Sequence, residues 1–456
     1  MKYRIEHDSL GEVKVESNKY WGAQTQRSLK NFNIGIEKMP KELIYSFALL
    51  KKACAISNNK INNQKITSEK CNIICKVCDE IISSKLDNHF PLSVWQTGSG
   101  TQTNMNINEV ITNRGNEIAN KSLLHPNDDV NLSQSSNDTF PSVMHISVVL
   151  ETKTKLLLAV NDLINSFIKL EKENEGIIKS GRTHLQDATP ISFSQEISGW
   201  RYSLEKDYEL INTSVEKLTD LAIGGTAVGT GLNADKKFPF YVCEELTKMT
   251  NVNFKPSENK FHSLTSKDEL VFYHGALKAL ACDLMKIAND IRLLSSGPRL
   301  GLGEITIPEN EPGSSIMPGK INPTQCEAVT MVSVQVIAND TAVGLSASLG
   351  NFELNVFMPV CIYNILNSIK LLTDVINSFN KNCVIGIKAN KEKMHNNLYN
   401  SLMLATCLTP YIGYDNVSKA VLKAHKENIS LKNAILSLNL LSDEEFDNYY
   451  KPENMI

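Results

Sequence analysis

At 456 residues the chain is too long for one core of ordinary size and predicts two or three domains. Lys and Arg total 47 against 50 Asp and Glu, a net charge of -3, which leaves no basic footprint for nucleic acid or an anionic membrane. Any anionic ligand must therefore be held by local groups.

The opening MKYRIEHDSLGEVKVES has no apolar h-region and carries acids where a transit sequence avoids them. No apolar run approaches the roughly 18 residues of a membrane span. These features predict a soluble cytoplasmic protein, or one of the mitochondrial matrix only if a presequence has been removed. Residues 1–135 mix short helices with polar turns, and NNKINNQK at 58–65 reads as a solvated loop. The ten cysteines lack framework spacing and read as buried free thiols. Cys71, Cys75 and Cys78 spell C-x3-C-x2-C, a spacing some iron-sulfur enzymes use. The same spacing is one face of a helix, and Ile73, Ile74, Val77, Ile81 and Ile82 continue helical periodicity around it, so a core helix is the preferred reading.

Five breaker-poor segments follow, at 141–173, 192–221, 265–295, 323–349 and 352–382, each rich in Leu, Ile, Val, Ala and Lys. At 1.5 Å per residue each makes a helix of about 45 Å. The first is apolar nearly all round, through Val148, Val149, Leu150, Leu156, Leu157, Leu158, Val160, Leu163 and Ile164, and such a helix must be buried on most sides. One chain supplies too slender a bundle for that, so the bundles of several subunits should pack together. The expected fold is mainly α: a three-domain subunit with a central bundle of five long helices, assembling through them into a homotetramer. The divisions fall at 1–135, 136–383 and 384–456. The last domain has short amphipathic helices, one opened by a Ser442/Glu445 capping box.

Four polar, turn-rich stretches lie near the ends of these helices: 95–115, 125–141, 180–190 and the 297–322 loop ending in EPGSSIMPGKIN. Part of each reads as capping. Asp138 or Thr139 suits an N-cap with Pro141 in the first turn, and Asn322, Pro323 and Gln325 suit an N-cap, N1 proline and capping-box residue. Ser135, Ser136, Ser314, Ser315 and Lys320 are not needed for caps. The 297–322 loop is long for a compact domain and reads as a lid hinged on its glycines.

GSSIMPGKINP is very similar to the GSSxMPxKxNP signature of the fumarase/aspartase superfamily. The similarity continues through KYWGAQTQRSLKNF, the four polar stretches, GGTAVGTGLNA, TPYIGYDN and the final KPENM. Within the superfamily, GRTHLQDATP resembles class II fumarases. The resemblance implies a tetramer around packed helices, no metal and no cofactor, and reversible hydration of fumarate to L-malate, a step of the tricarboxylic acid cycle. It also implies an active site shared between subunits, with small dicarboxylates as the partners and neither nucleic acid nor membrane.

Removing a proton beside a carboxylate creates a doubly charged aci-carboxylate, so fixed positive ends aimed at it are the expected main device. Lys320, the amide of Asn322 and the helix N-terminus at Pro323 suit that task. By resemblance Ser314 takes the carbon-bound proton, directly or through a relay, helped by a turn presenting backbone N-H groups. His184 fits the acid for the leaving hydroxyl, and Glu327 matches the family's acidic partner that orients the ring. Ser99, Gly100, Thr101, Ser135, Ser136, Asn137, Thr183 and Ser315 are expected to hold the carboxylates and water. His125, Pro126, Asn127 and Asp128 resemble a secondary anion site. There Ser122, beside Lys121, replaces the family's usual arginine, which predicts a weak or absent site. Rival readings are an aspartase-like lyase and a non-catalytic structural use of the fold.

Overall fold

A computed structural model describes residues 2–456. Long runs of good helix formers with few internal breakers dictate its texture: helices dominate, and the sheets among the described residues are four two-stranded ribbons. The five expected long helices occupy 136–173, Phe193–Glu216, Asp268–Leu294, Thr324–Ser348 and Met358–Asn382. Two compact units emerge, and their division falls within each of these helices. One unit is Met1–Leu158, Asp207–Ala281 and Val334–Thr373, and the other is Ala159–Lys206, Cys282–Ser333 and Asp374–Ile456.

In the first unit, Phe47 and Phe140 meet edge-on at 5.8 Å, and Val143, Ile146, Val148 and Val149 are fully buried. The helix from Ser136 passes through a π turn at Thr152–Leu156, where the Thr152 hydroxyl bonds to the Val148 carbonyl and to Tyr273 Oη. Side-chain bonds of this kind let a helix carry an extra residue. In the second unit, Trp200 packs edge-on against Phe167 and Phe193, and its indole N-H donates to Asp290 at 3.0 Å. A satellite cluster of Leu408, Ala420, Ile435 and Phe446 forms the core of the C-terminal helices, with the Ser442/Glu445 capping box in place.

Several expectations need correction. Asn58 is not in a solvated loop. It lies in the Lys41–Ile61 helix, is 4% exposed, and donates to the Leu132 carbonyl. Residues 1–135 contain a β-hairpin, Tyr3–Asp8 with Gly11–Glu16, and helices of 21 and 19 residues, longer than the short ones expected. Cys71, Cys75 and Cys78 do lie on one helix, Ser68–Ile82. The Thr324–Ser348 helix is long and apolar enough to cross a membrane by length and composition, contrary to the reading of no such run. Its 18-residue window has a mean hydropathy of 1.3 and is only 28% buried within the chain.

A buried carboxylate fixes the N-terminal segment. Glu109 accepts the backbone N-H groups of Gly22, Gln24 and Thr25 and the Thr25 hydroxyl, filling the first turn of Ala23–Asn31. Glu109→Ala orphans these donors. That variant should lose about 3 kcal/mol in guanidinium unfolding, with Glu109→Gln losing less. An unchanged unfolding midpoint in Glu109→Ala would refute this role.

Candidate active site

Each unit carries a polar cluster. In the first, the chain turns sharply into the Thr101–Ala119 helix through Gly100 at φ 71, where a Cβ would lie 2.0 Å from the Phe140 ring. Only glycine fits. This turn brings Ser99 Oγ within 2.8 Å of Thr101 Oγ1, which is itself 2.8 Å from Ser136 Oγ. Three hydroxyls from two elements so form one chain of donors. Thr101 and Ser136 border a cleft of about 400 Å³ lined also by Asn104, Asn131, Gln134 and Ser135.

The cap assignments at this cluster differ from expectation. Ser135 is the N-cap of Ser136–Glu151, and Asp138 completes its capping box from N3, while Pro141 stands in the second turn. Pro141 lies inside the helix and removes one i to i−4 bond, the one its N-H would have made to the Asn137 carbonyl. Asp138 also accepts Gly224 N and Thr226 N at 2.9 Å each, and Asn137 Nδ2 donates to the Ala227 carbonyl. The helix start therefore straps down the GGTAVG segment. Burial pushes the Asp138 carboxyl up to about 6 against these N-H bonds.

The second unit holds the other cluster. Ile178–Thr183 pairs antiparallel with Gln186–Ser192, and His184 and Leu185 form the two-residue tip with φ 56 and 60. This is the twist a tight hairpin demands, adopted by residues that resist it. His184 is exposed at the tip with Thr183 beside it. In the 297–322 loop, Ser314 Oγ accepts Ile316 N at 3.2 Å and Met317 N at 3.0 Å. Gly313 is pinned on both sides, its N-H to the Lys320 carbonyl at 2.8 Å and its carbonyl from Asn322 Nδ2 at 2.7 Å. Asn322 thus closes the loop instead of capping a helix that begins at Thr324, and Gln325, expected in a capping box, accepts from Ser378. Ser315 and Lys320 are exposed on the loop, and Glu327 is half-buried in the first helical turn. No hydrogen bond or ion pair among the described residues joins His184 to Glu327 or Ser314.

His125 departs from an open anion site. Its Nδ1 accepts Asn127 N and Asp128 N, capping the Pro126–Val130 turn, and Asp128 lies 3.3 Å from the same nitrogen. The adjacent Lys121 is paired with Glu69 at 2.7 Å.

Sequence reasoning missed the group that holds the second cluster. Glu304, fully buried, accepts Arg182 Nη2 at 2.5 Å and Nη1 at 3.1 Å, Asn397 Nδ2 at 3.0 Å, and pairs with buried Lys179 at 3.1 Å. Lys179 reaches Glu196 as well, at 2.9 Å. Burial alone would raise the Glu304 carboxyl. The Arg182 hydrogen bonds, Lys179 and Asn397 outweigh it and hold the group below the usual glutamate range. The hairpin with His184 and the root of the Ser314 loop are so fastened to one carboxylate. A carboxylate inside GLGE was the available signal, but spacing cannot pair residue 304 with residue 182.

Residues 11–338 match the family model described as Lyase, and residues 404–456 match Fumarase C C-terminus. The chain is 58% identical to the class II fumarate hydratase of Campylobacter jejuni and 55% to that of Bacillus subtilis, in each case over 100% of this chain and 99% of the relative. Among solved structures it is similar to the class II fumarase of Schistosoma mansoni, with a TM-score of 0.97 and 44% identity over 100% of this chain and 99% of that one. It is also similar to a cobalt-bound fumarate lyase:delta crystallin of Brucella melitensis, with a TM-score of 0.95 and 36% identity over the same shares.

Glu304→Ala leaves Lys179 and Arg182 buried without their charge partner and should lower stability by about 3 to 5 kcal/mol in urea unfolding. Because the folded carboxyl is lowered, its contribution is complete above about pH 4.5 and is lost as pH falls through the folded value. Glu304→Gln should therefore show a smaller loss of stability on acidification than the wild type. Equal acid sensitivity of the two proteins would count against this account.

Proposed function

Since this chain belongs to the lyase family and within it to the class II fumarate hydratases, we propose that it catalyses the reversible hydration of fumarate to L-malate by acid-base chemistry through an aci-carboxylate. The observation that carries the reading is the Ser314 turn inside a full-length similarity to such enzymes: Ser314 Oγ is held by two backbone N-H groups. A serine hydroxyl is a weak base, and donors already aimed at its oxygen favour the alkoxide and lower the energy of the step that forms it.

In malate dehydration, Ser314 takes the proton from the carbon beside the carboxylate. The electron pair moves onto that carboxylate, which gains a second negative charge. Lys320, the Asn322 amide and the N-terminus of the Thr324–Ser348 helix are the positive ends that stabilise it. His184, oriented by Glu327, delivers the proton with which hydroxide leaves as water, and in hydration it removes that proton from water. Ser99, Thr101, Ser135, Ser136 and Asn137 hold the carboxylates through neutral donors, with Thr183 and Ser315 completing the set.

We place His184 and Ser314 in a site completed by different copies of the chain in a homotetramer. The exposed apolar side chains of Met331, Val334 and Leu345 on the Thr324–Ser348 helix support such an assembly, as burying them against like helices removes a large apolar surface from water. The bacterial relatives support a cytoplasmic enzyme. The three-domain division remains our reading of the sequence texture.

Absorbance at the fumarate band should rise when the protein is given L-malate. His184→Asn and Ser314→Ala should each lower kcat by about 100-fold or more, with helical content unchanged by circular dichroism. Aspartate formed from fumarate and ammonium, with no malate from fumarate alone, would favour an ammonia-lyase. Near wild-type rates in both variants would remove these residues from the chemistry.

A further inference from the structure

Lys51 lies in the Lys41–Ile61 helix with 1% of its surface exposed, and among the described residues its ammonium forms no ion pair. It donates to two neutral amide oxygens, Asn131 Oδ1 at 3.0 Å and Gln134 Oε1 at 2.9 Å. The same Asn131 oxygen accepts Asn104 Nδ2 at 3.1 Å and Asn108 Nδ2 at 3.2 Å. Asn104, Asn131 and Gln134 line the cleft that carries Thr101, Ser135 and Ser136. The cation therefore sits one amide behind the cleft floor.

A buried charge with no carboxylate in hydrogen-bond contact is expensive, since only its two amide acceptors and the more distant Asp138 offset the loss of water. Stitching amides together does not require an ammonium; a neutral donor would do it. What the charge adds is a field, strong in a desolvated setting, directed at whatever occupies the cleft. We propose that Lys51 is a positioning residue for the dianionic substrate, its charge drawing one carboxylate into the cleft while its hydrogen bonds fix Asn131 and Gln134 beneath it. This rests on the reading of the cleft as a dicarboxylate subsite. Neutral donors touch the anion, and the positive charge stays behind them.

The surroundings make the charge separable by pH. Cys54 faces Lys51 from its own helix, Cys78 from Ser68–Ile82 and Asp138 from Ser136–Glu151, and the Phe238–Thr250 helix brings Cys243 towards Cys54. The Thr101–Ala119 helix contributes the amides of Asn104 and Asn108. Burial pushes all three thiols up, Cys243 to about 12, and Asp138, at about 6, is ionised above that. Burial lowers Lys51 to about 8. A raised pH removes its proton, so the attraction is present below about pH 8 and lost above it. Lys260, also lowered to about 8 and nearer the GGTAVG strap, is kept in every variant below and cancels in the comparison.

The test uses succinate, a dicarboxylate that cannot undergo the reaction, as a competitive inhibitor of malate-fumarate interconversion. In the wild type its Ki should rise by about threefold to tenfold between about pH 7 and pH 9. In Lys51→Met, KM and the succinate Ki at pH 7 should rise by about tenfold, kcat should change less than about threefold, and the pH dependence should flatten. Lys51→Gln keeps the bond to the amides without the charge and should behave as Lys51→Met does; it serves if the methionine variant does not fold. A folded variant of either kind with wild-type KM and Ki overturns the proposal, as does a wild-type Ki that is flat over this range. A loss confined to kcat, with KM and Ki unchanged, overturns it too. A wild type that does not interconvert malate and fumarate overturns the activity itself, and with it this inference.

Discussion

The carboxylate of Glu304 is the interaction on which the unit carrying His184 and Ser314 depends. It has no exposed surface, and an isolated ion there would be untenable. The fold meets that constraint by drawing in Arg182 and Lys179 from the hairpin strand and Asn397 from the Lys391–Asn400 helix, so two distant segments converge on its two oxygens. Two residues after Arg182 comes His184, and ten residues after Glu304 comes Ser314. A strained hairpin tip and an exposed loop suit the roles proposed for these two residues only if their roots are rigid. The ion network supplies that rigidity where the segments leave the core.

In the other unit the same problem is solved with neutral groups. Ser99, Thr101 and Ser136 share one chain of hydrogen bonds, and Asp138 holds the helix start and the GGTAVG strap together. A dicarboxylate needs attraction on entry but must also leave as product. On the proposed binding mode, hydroxyls in contact and a cation one layer behind satisfy both demands, because hydrogen bonds orient the ligand while the charge acts at a distance that limits its grip.

Much of this was legible in the chain. The five long helices announce themselves because they are poor in breakers for some 25 to 30 residues, and GSSIMPGKINP carries its resemblance in contiguous residues. The caps were misread where a loop can compete with a helix for the same side chain. Asn322 stands where an N-cap belongs, yet its amide gains more by closing the Gly313 turn, and Ser135 caps because Asp138 reciprocates from N3. The buried charges were invisible for a different reason. Lys51 and Glu304 look like surface residues in one dimension, and only their partners, some 80 and 120 residues away, make burial possible. Asn58 was misplaced by its neighbours' polarity, since a polar run does not reveal that one of its amides faces a carbonyl in the core.

The Thr324–Ser348 helix draws these strands together. It begins where the loop bearing Ser314 ends, so its N-terminus points the positive end of its dipole at the loop and its first turn carries Glu327. Beyond that turn it carries many apolar residues beside Gln335, Asn339 and Asp340, and it is largely uncovered within one chain. A helix of this composition would meet a membrane or other protein, and its continuity with a polar, charge-stabilising loop favours protein: a bilayer-spanning segment would place that loop and the half-buried Glu327 at or within the apolar boundary, where their polar groups are penalised. Packed instead against the same helix of other copies, the apolar body becomes a core and the polar start is brought to the edge of that core. On the proposed assembly, then, the residues that build the oligomer and those that build the site are one helix read from two ends, and dissociating the subunits should remove activity without unfolding the hairpin that holds His184.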